Sequence, residues 1–135
     1  MSKTLDRIGL LLIAVSVFML AKGGGALPAF VPAPIDVPGL HVLIVEETDD
    51  RDTIDKGQLA VLQSVLVRED VKAAGGQYRQ YDANETPAEE PWKTAMGRPR
   101  ESTPWLIVSN PGKGGFEGPL PSTIDATKQV IGGLK

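Results

Sequence analysis

Residues 103–120 read TPWLIVSNPGKGGFEGPL, and this segment says most about the fold. An apolar run at residues 105–109 follows a Thr-Pro pair, and a glycine-rich turn leads into a second short run at residues 115–120. Proline and glycine between two such runs are typical of a hairpin, so we predict two adjacent antiparallel strands. Ser122 and Asp125 then have the spacing of a capping box, which predicts a closing helix.

Two more strands precede this segment. Residues 40–45 are rich in β-branched side chains, which predicts a strand buried on both faces. Asp55 and Gln58 have capping-box spacing and begin a helix that we expect to end at the glycine pair 75–76. Residues 77–81 form the next short strand. Because a helix connects the two strands, we expect them to be parallel, with a right-handed crossover.

A further helix is predicted between these strands and the C-terminal segment. Thr86 and Pro87 have the residue types of a helix cap and a first helical position, and Pro91 either shortens the helix or moves its start. The order over residues 40–135 is then β-α-β-α-β-β-α. We therefore predict an α/β domain, with helices on both faces of a mixed four-stranded sheet.

Residues 40–135 resemble the thioredoxin-like superfamily in this order, and Thr103-Pro104 before a buried strand looks like its cis-proline position. The resemblance implies a three-layer α/β/α domain with a groove for an extended peptide. In that superfamily the loop after the first strand carries Cys-x-x-Cys, whereas this chain has no cysteine and therefore no thiol chemistry. By resemblance, the groove would be rimmed by Asp49, Asp50, Arg51, Thr103, Pro104 and Trp105.

The chain begins with a basic flank followed by 14 apolar residues, 8–21. This pattern is typical of a membrane-targeting segment, although a full span needs about 20 residues. We predict that residues 1–22 form an apolar helix that anchors the protein, with the domain on the extracytoplasmic side. The alternative is a signal peptide cut after a small residue, near Gly24 or Ala26, which would release a secreted domain.

Residues 23–39 contain a glycine triplet followed by four prolines. Such a sequence forms neither a helix nor a central strand, so we predict a linker that is flexible at first and then semi-extended. The other interpretation is an ordered arm that packs on the domain through Phe30, Val31 and Ile35.

Charge and isolated polar residues exclude some functions. The net charge is −3, and residues 36–135 alone carry about −5, which argues against a nucleic-acid partner. The acidic loop 46–55 suits either a divalent cation or a solvated loop whose acids favour the following helix, and we predict the latter, without a metal. His41 is the only histidine and has no nucleophile at a diagnostic spacing, so we predict no catalytic residue and no cofactor.

These features predict a membrane-tethered, redox-inactive binding or scaffold module rather than an enzyme, with a protein or an extended peptide as its partner. Two alternatives stay open. One is a metal-dependent enzyme that uses loop 46–55. The other is a structural component of a phage-like or envelope assembly, for which a short anchored domain is suitable.

Overall fold

The apolar run of the first predicted strand lies at the centre of the fold, where all six residues of His41–Glu46 are buried. The computed structural model describes residues 29–135, of which 31–135 form one compact unit. A single 3-10 turn, Thr48–Asp50, follows the first strand. The strands are β1 (His41–Glu46), β2 (Gln77–Asp82), β3 (Trp105–Asn110) and β4 (Gly114–Pro119). The helices are α1 (Lys56–Gln63), α2 (Val65–Ala73), α3 (Trp92–Met96) and α4 (Ile124–Gly132).

The strands form one mixed sheet in the order β2-β1-β3-β4. β1 and β2 are parallel, as a helical crossover between them requires. β3 is antiparallel to both of its neighbours, and its connection to β4 is a tight turn in which Gly112 has a φ of 94°. A positive φ is open to glycine at no steric cost, which explains this residue at the turn. The predicted mixed sheet and the hairpin are confirmed.

Each face of the sheet has its own apolar core, because successive residues of a strand point to opposite faces. On one face, Val42 and Ile44 pack with residues of α1, α2 and α4. On the other face, Leu43 and Val45 pack with Trp92 and the rest of α3. Helices therefore cover both faces of the sheet, which explains why β1 is apolar throughout.

The long helix predicted after the acidic loop is broken at Ser64. The backbone of Ser64 is extended, with φ −84° and ψ 136°, and its hydroxyl accepts a hydrogen bond from the Leu66 amide at 3.1 Å. Serine favours this geometry because its side chain competes for nearby backbone groups. The predicted ends are correct: Asp55 caps α1 through the Gln58 amide at 3.0 Å, and Gly75 has a φ of 77° just after α2.

The helix predicted from Thr86 begins later, at Trp92. A helix running from Thr86 would contain Pro91 in its interior, where proline has no amide to donate. Glu90 instead accepts hydrogen bonds from the Thr94 amide and hydroxyl, at 2.8 and 2.7 Å. Pro91 therefore resets the start of the helix, which was one of the two predicted outcomes.

The last helix is capped one residue later than the capping-box spacing predicts. The Thr123 hydroxyl accepts the Ala126 amide at 3.0 Å, so Thr123 and not Ser122 is the cap. Thr123 has the extended backbone that a cap requires, with φ −137° and ψ 153°.

The described part of the Gly/Pro-rich segment packs on the domain. Val31 exchanges two backbone hydrogen bonds with Gly115 of β4. Ile35 is 3% exposed, and its amide and carbonyl both bond the Ser109 hydroxyl at 3.0 Å. Residues 31–35 are therefore an ordered arm. The predicted membrane segment and residues 23–28 of the predicted linker lie outside the described residues. Within residues 29–135, no helix is both long enough and apolar enough to cross a membrane.

Candidate functional site

The site residues predicted from the sequence come from two loops at one edge of the sheet. Val45 near the end of β1 pairs with Trp105 at the start of β3, and the two strands are antiparallel. The loop after β1 and the segment before β3 therefore meet at the same edge. Glu46 also pairs with Asp82, so β2 ends there as well.

Arg51 forms an ion pair with Glu46 at this edge of the sheet. Its Nε and Nη2 donate to the two carboxylate oxygens of Glu46, at 2.7 and 2.8 Å. The Glu46 side chain is 5% exposed, and the Arg51 side chain is 37% exposed. Bidentate pairs of this kind are strong and directional. Arg51 is predicted from the sequence to lie on the rim of a groove, whereas in the structure it anchors the loop to β1, a contact that was not predicted.

A buried polar chain continues from this ion pair. Gln80 Nε2 donates to Glu46 Oε2 at 2.6 Å, and the Tyr78 hydroxyl donates to Gln80 Oε1 at 2.9 Å. Burial alone would raise the pKa of the Glu46 carboxyl, but hydrogen bonds from Arg51 and Gln80 together hold that pKa below its usual range. Burial raises the pKa of Tyr78 to about 12. Each side chain in this series of hydrogen bonds has a partner, so the series stiffens the edge of the sheet.

The 3-10 turn Thr48–Asp50 is hydrogen-bonded to Asp82 at the end of β2. The Thr48 amide and hydroxyl both donate to Asp82 Oδ1 at 2.9 Å, and these bonds, with one from the Asn84 amide, lower the pKa of Asp82. Asp49 and Asp50 belong to the same turn and are exposed. Within residues 29–135 there is no group of three or more acidic or histidine side chains arranged to hold a metal.

Thr103 offers an open backbone at the same edge. The Thr103–Pro104 peptide bond is cis, and the Pro104 carbonyl accepts the Leu120 amide at 3.0 Å. Among the described residues, neither the amide nor the carbonyl of Thr103 has a hydrogen-bond partner. Thr103 is half-buried and Pro104 is buried. An extended chain laid beside Thr103 would find both a donor and an acceptor.

Trp105 is the first residue of β3 and follows the Thr103–Pro104 pair directly. Its ring is 6% exposed and packs in the core beneath α3. It also lines a pocket of about 320 Å³. The remaining lining residues are Arg98, Pro99, Arg100, Glu101 and Glu117.

The ion pair in this pocket was not predicted from the sequence. Arg98 Nε and Nη2 donate to the two carboxylate oxygens of Glu117, at 2.8 and 2.6 Å. In the sequence, the stretch 97–100 shows only the glycine and proline that end a helix. The strand β4 brings Glu117 to it from nineteen residues away. No local spacing could have indicated this pair.

Two other features lie away from the edge. His41 packs against Trp92, with ring centroids 5.6 Å apart, and its Nδ1 is 3.2 Å from the Gly39 carbonyl. These contacts hold the buried His41 side chain at the start of β1. A second cavity, of about 250 Å³, lies between the arm and α3 and is lined by Ile35, Asp36, Val37, Glu90, Pro91 and Thr94.

The six predicted groove residues therefore divide into two sets. Asp49, Asp50 and Arg51 belong to a loop held by Glu46 and Asp82, whereas the other three form the segment that enters β3. Comparison of the chain with models of protein families, with curated proteins and with solved structures finds no match.

Proposed function

We propose that this protein is a redox-inactive, thioredoxin-like module that binds an extended peptide at the edge formed by residues 47–51 and 103–105. The backbone of Thr103 carries the proposal, because its amide and carbonyl make no hydrogen bond within residues 29–135 and such groups beside a sheet can pair with an added chain. The strand order β2-β1-β3-β4, with helices on both faces, supports the thioredoxin-like part. The absence of cysteine from the sequence supports a binding role without thiol exchange.

The surroundings of Thr103 suit recognition better than chemistry. The loop on one side is held by the Arg51–Glu46 pair and by Asp82, so its position is set before a ligand arrives. Binding to a preformed surface loses less conformational entropy than binding to a mobile one. The charged side chains of Arg51, Glu46 and Asp82 at this edge are already hydrogen-bonded within the fold. Backbone hydrogen bonds would therefore supply most of the affinity for a peptide.

Nuclear magnetic resonance on the native protein tests the proposal. We would add a pool of N-acetylated, C-amidated hexapeptides rich in valine and threonine to the ¹⁵N-labelled full chain. We expect chemical-shift changes centred on the amides of Thr103 and of residues 48–51. An absence of binding, or shifts confined to another surface, would overturn the proposal.

A pair of proline variants sharpens this test. Thr103→Pro removes the proposed amide donor and should abolish peptide binding. Ala88→Pro places a proline at an exposed site elsewhere and should leave binding unchanged. If Thr103→Pro fails to fold, the shift map of the native protein still decides the matter.

We further propose that residues 1–22 tether this module to a membrane, with the domain on the extracytoplasmic side. The support is the apolar run 8–21 with its basic flanks. The full chain, expressed in bacteria, should sediment with membranes and resist alkaline carbonate. The chain lacking residues 1–22 should stay in the supernatant. Full-length protein found in the supernatant at its uncleaved mass would contradict the tether.

A further inference from the structure

Trp105, which lines the pocket of about 320 Å³, carries a hydrogen-bond donor that has no partner within residues 29–135. The Trp105 side chain is buried, and its Nε1 has no hydrogen-bond partner among the described residues. Buried polar groups in folded proteins are nearly always paired, since an unpaired donor has lost its bonds to water. An indole nitrogen donates only, so the missing partner must be an acceptor.

The charges around this pocket show which kind of acceptor fits. Arg98 is neutralised by Glu117 in a bidentate pair. Arg100 donates to the Met96 carbonyl at 3.0 Å and to the Ala83 carbonyl at 3.5 Å, and within residues 29–135 no carboxylate lies within ion-pair distance of it. Arg100 is therefore a cation with donors to spare. Glu101, at the exposed rim, is the only acid of the lining that is not already paired.

We infer that this pocket binds a carboxylate carried by the peptide that pairs with Thr103. The inference rests on the proposed function and adds the chemistry of one ligand residue to it. Thr103 and Trp105 are two residues apart, so a chain paired with Thr103 would run close to the pocket that Trp105 lines. The carboxylate would accept from Trp105 Nε1 and from Arg100, two residues that line the same pocket.

Entry of the carboxylate requires a small movement of the lining. Trp105 Nε1 is shielded from solvent in the free protein. The indole ring or the side chains that cover it must therefore move before an acceptor reaches the nitrogen. Binding therefore changes the environment of one indole proton, which can be followed directly.

The test uses four N-acetylated hexapeptides of alternating threonine and valine. The last residue is glutamate or glutamine, and the C-terminus is either free or amidated. Glutamate with an amidated end presents a side-chain carboxylate alone, and glutamine with a free end presents the terminal carboxylate alone. Glutamine with an amidated end is the uncharged control. Calorimetry measures affinity, and the indole ¹H–¹⁵N signals report contact with the ring.

We expect at least one carboxylate-bearing peptide to bind tenfold or more tightly than the uncharged peptide and to move the Trp105 indole proton downfield. The chain has two tryptophans, so Trp105→Phe assigns the signal. That variant and Arg100→Gln should lose the tenfold preference but keep the weaker binding. Arg68→Gln is the matched control, since Arg68 is exposed and stacks on Tyr78 instead.

The outcomes separate this inference from the proposed function. Equal affinities for all four peptides, with shifts at Thr103, would overturn the carboxylate pocket and leave peptide binding intact. A preference for carboxylates that survives both Trp105→Phe and Arg100→Gln would also overturn it. If none of the four peptides binds, both proposals fail.

Discussion

Arg51 and Glu46 are five residues apart and form a bidentate ion pair, with nitrogen–oxygen distances of 2.7 and 2.8 Å. Glu46 is buried at the end of the central strand, while Arg51 lies in a loop that is otherwise acidic. The pair therefore provides the buried carboxylate with its counter-ion and fixes the loop at the proposed peptide site. The loop's one cation is structural.

Removal of the cation should destabilise the domain. Arg51→Met leaves Glu46 buried with only Gln80 as a side-chain donor, and we expect a loss of about 1–3 kcal/mol in the free energy of unfolding at neutral pH. Urea denaturation measures the change. Lys56→Met, at an exposed position, is the control and should stay within about 0.5 kcal/mol of the native protein. Equal stability of the two variants would contradict this role of Arg51.

Acid should weaken the same contact. The pKa of Glu46 is lowered in the folded protein from its ordinary value of 4.5, so the folded state favours the ionised form. The resulting stability is present above pH 4.5 and is lost as the pH falls through the lowered folded pKa. We expect the free energy of unfolding of the native protein to fall more steeply below pH 4.5 than that of Glu46→Gln. Parallel pH profiles for the two proteins would exclude the effect.

The packing of the arm, residues 31–35, should depend on the absence of a Cβ at Gly115. A Cβ at this position would lie 2.3 Å from Pro34 Cδ and 2.9 Å from the Val108 carbonyl oxygen. Gly115→Ala should therefore displace residues 31–35 and cost about 1–3 kcal/mol. Urea denaturation gives the stability, and faster proteolysis within the arm reports its release.

Gly132 provides the matched control for that substitution. It lies in α4, and a Cβ there would meet nothing within 4 Å. Gly132→Ala should raise the free energy of unfolding by about 0.5–1 kcal/mol, because alanine restricts the unfolded chain. A loss of stability for Gly132→Ala similar to that for Gly115→Ala would show that packing of the arm is not the cause.

The cap of the last helix can be tested with two adjacent residues. Thr123→Ala removes the acceptor for the Ala126 amide and should cost about 1 kcal/mol. Ser122→Ala should change stability by less than about 0.5 kcal/mol, since the Ser122 hydroxyl makes no hydrogen bond within the described residues. Thermal and urea unfolding of both variants would decide it. A larger loss of stability for Ser122→Ala than for Thr123→Ala would instead show that Ser122 is the cap, as the sequence spacing predicts.

Much of the fold could be predicted from local patterns. The six-residue β1, the glycine pair after α2 and the hairpin between β3 and β4 depend on side-chain period and turn chemistry, which a short window contains. Predictions were less accurate where two local signals compete. At Ser64 helical spacing competes with a cap, and at Thr86 a cap competes with the later Pro91.

The meeting of the two loops could be predicted from the sequence, but the hydrogen bonds of their side chains could not. Residue order alone indicates that the loop after β1 and the segment before β3 lie near each other, because antiparallel neighbours bring those ends to one edge. Which side chains there are already hydrogen-bonded depends on partners that are distant in the sequence. Gln80 reaches Glu46 across 34 residues, and Glu117 reaches Arg98 across 19.

Local sequence therefore determined the strands, the hairpin and the absence of thiol chemistry, since each depends on neighbouring residues or on composition. Only the tertiary structure decided that Arg51 is bound to Glu46 and that, within residues 29–135, neither the Thr103 backbone nor the Trp105 indole nitrogen has a hydrogen-bond partner. The physical reason is that burial and hydrogen-bond pairing are properties of the assembled sheet. A donor is free or satisfied only once the strands have brought all of its neighbours into place.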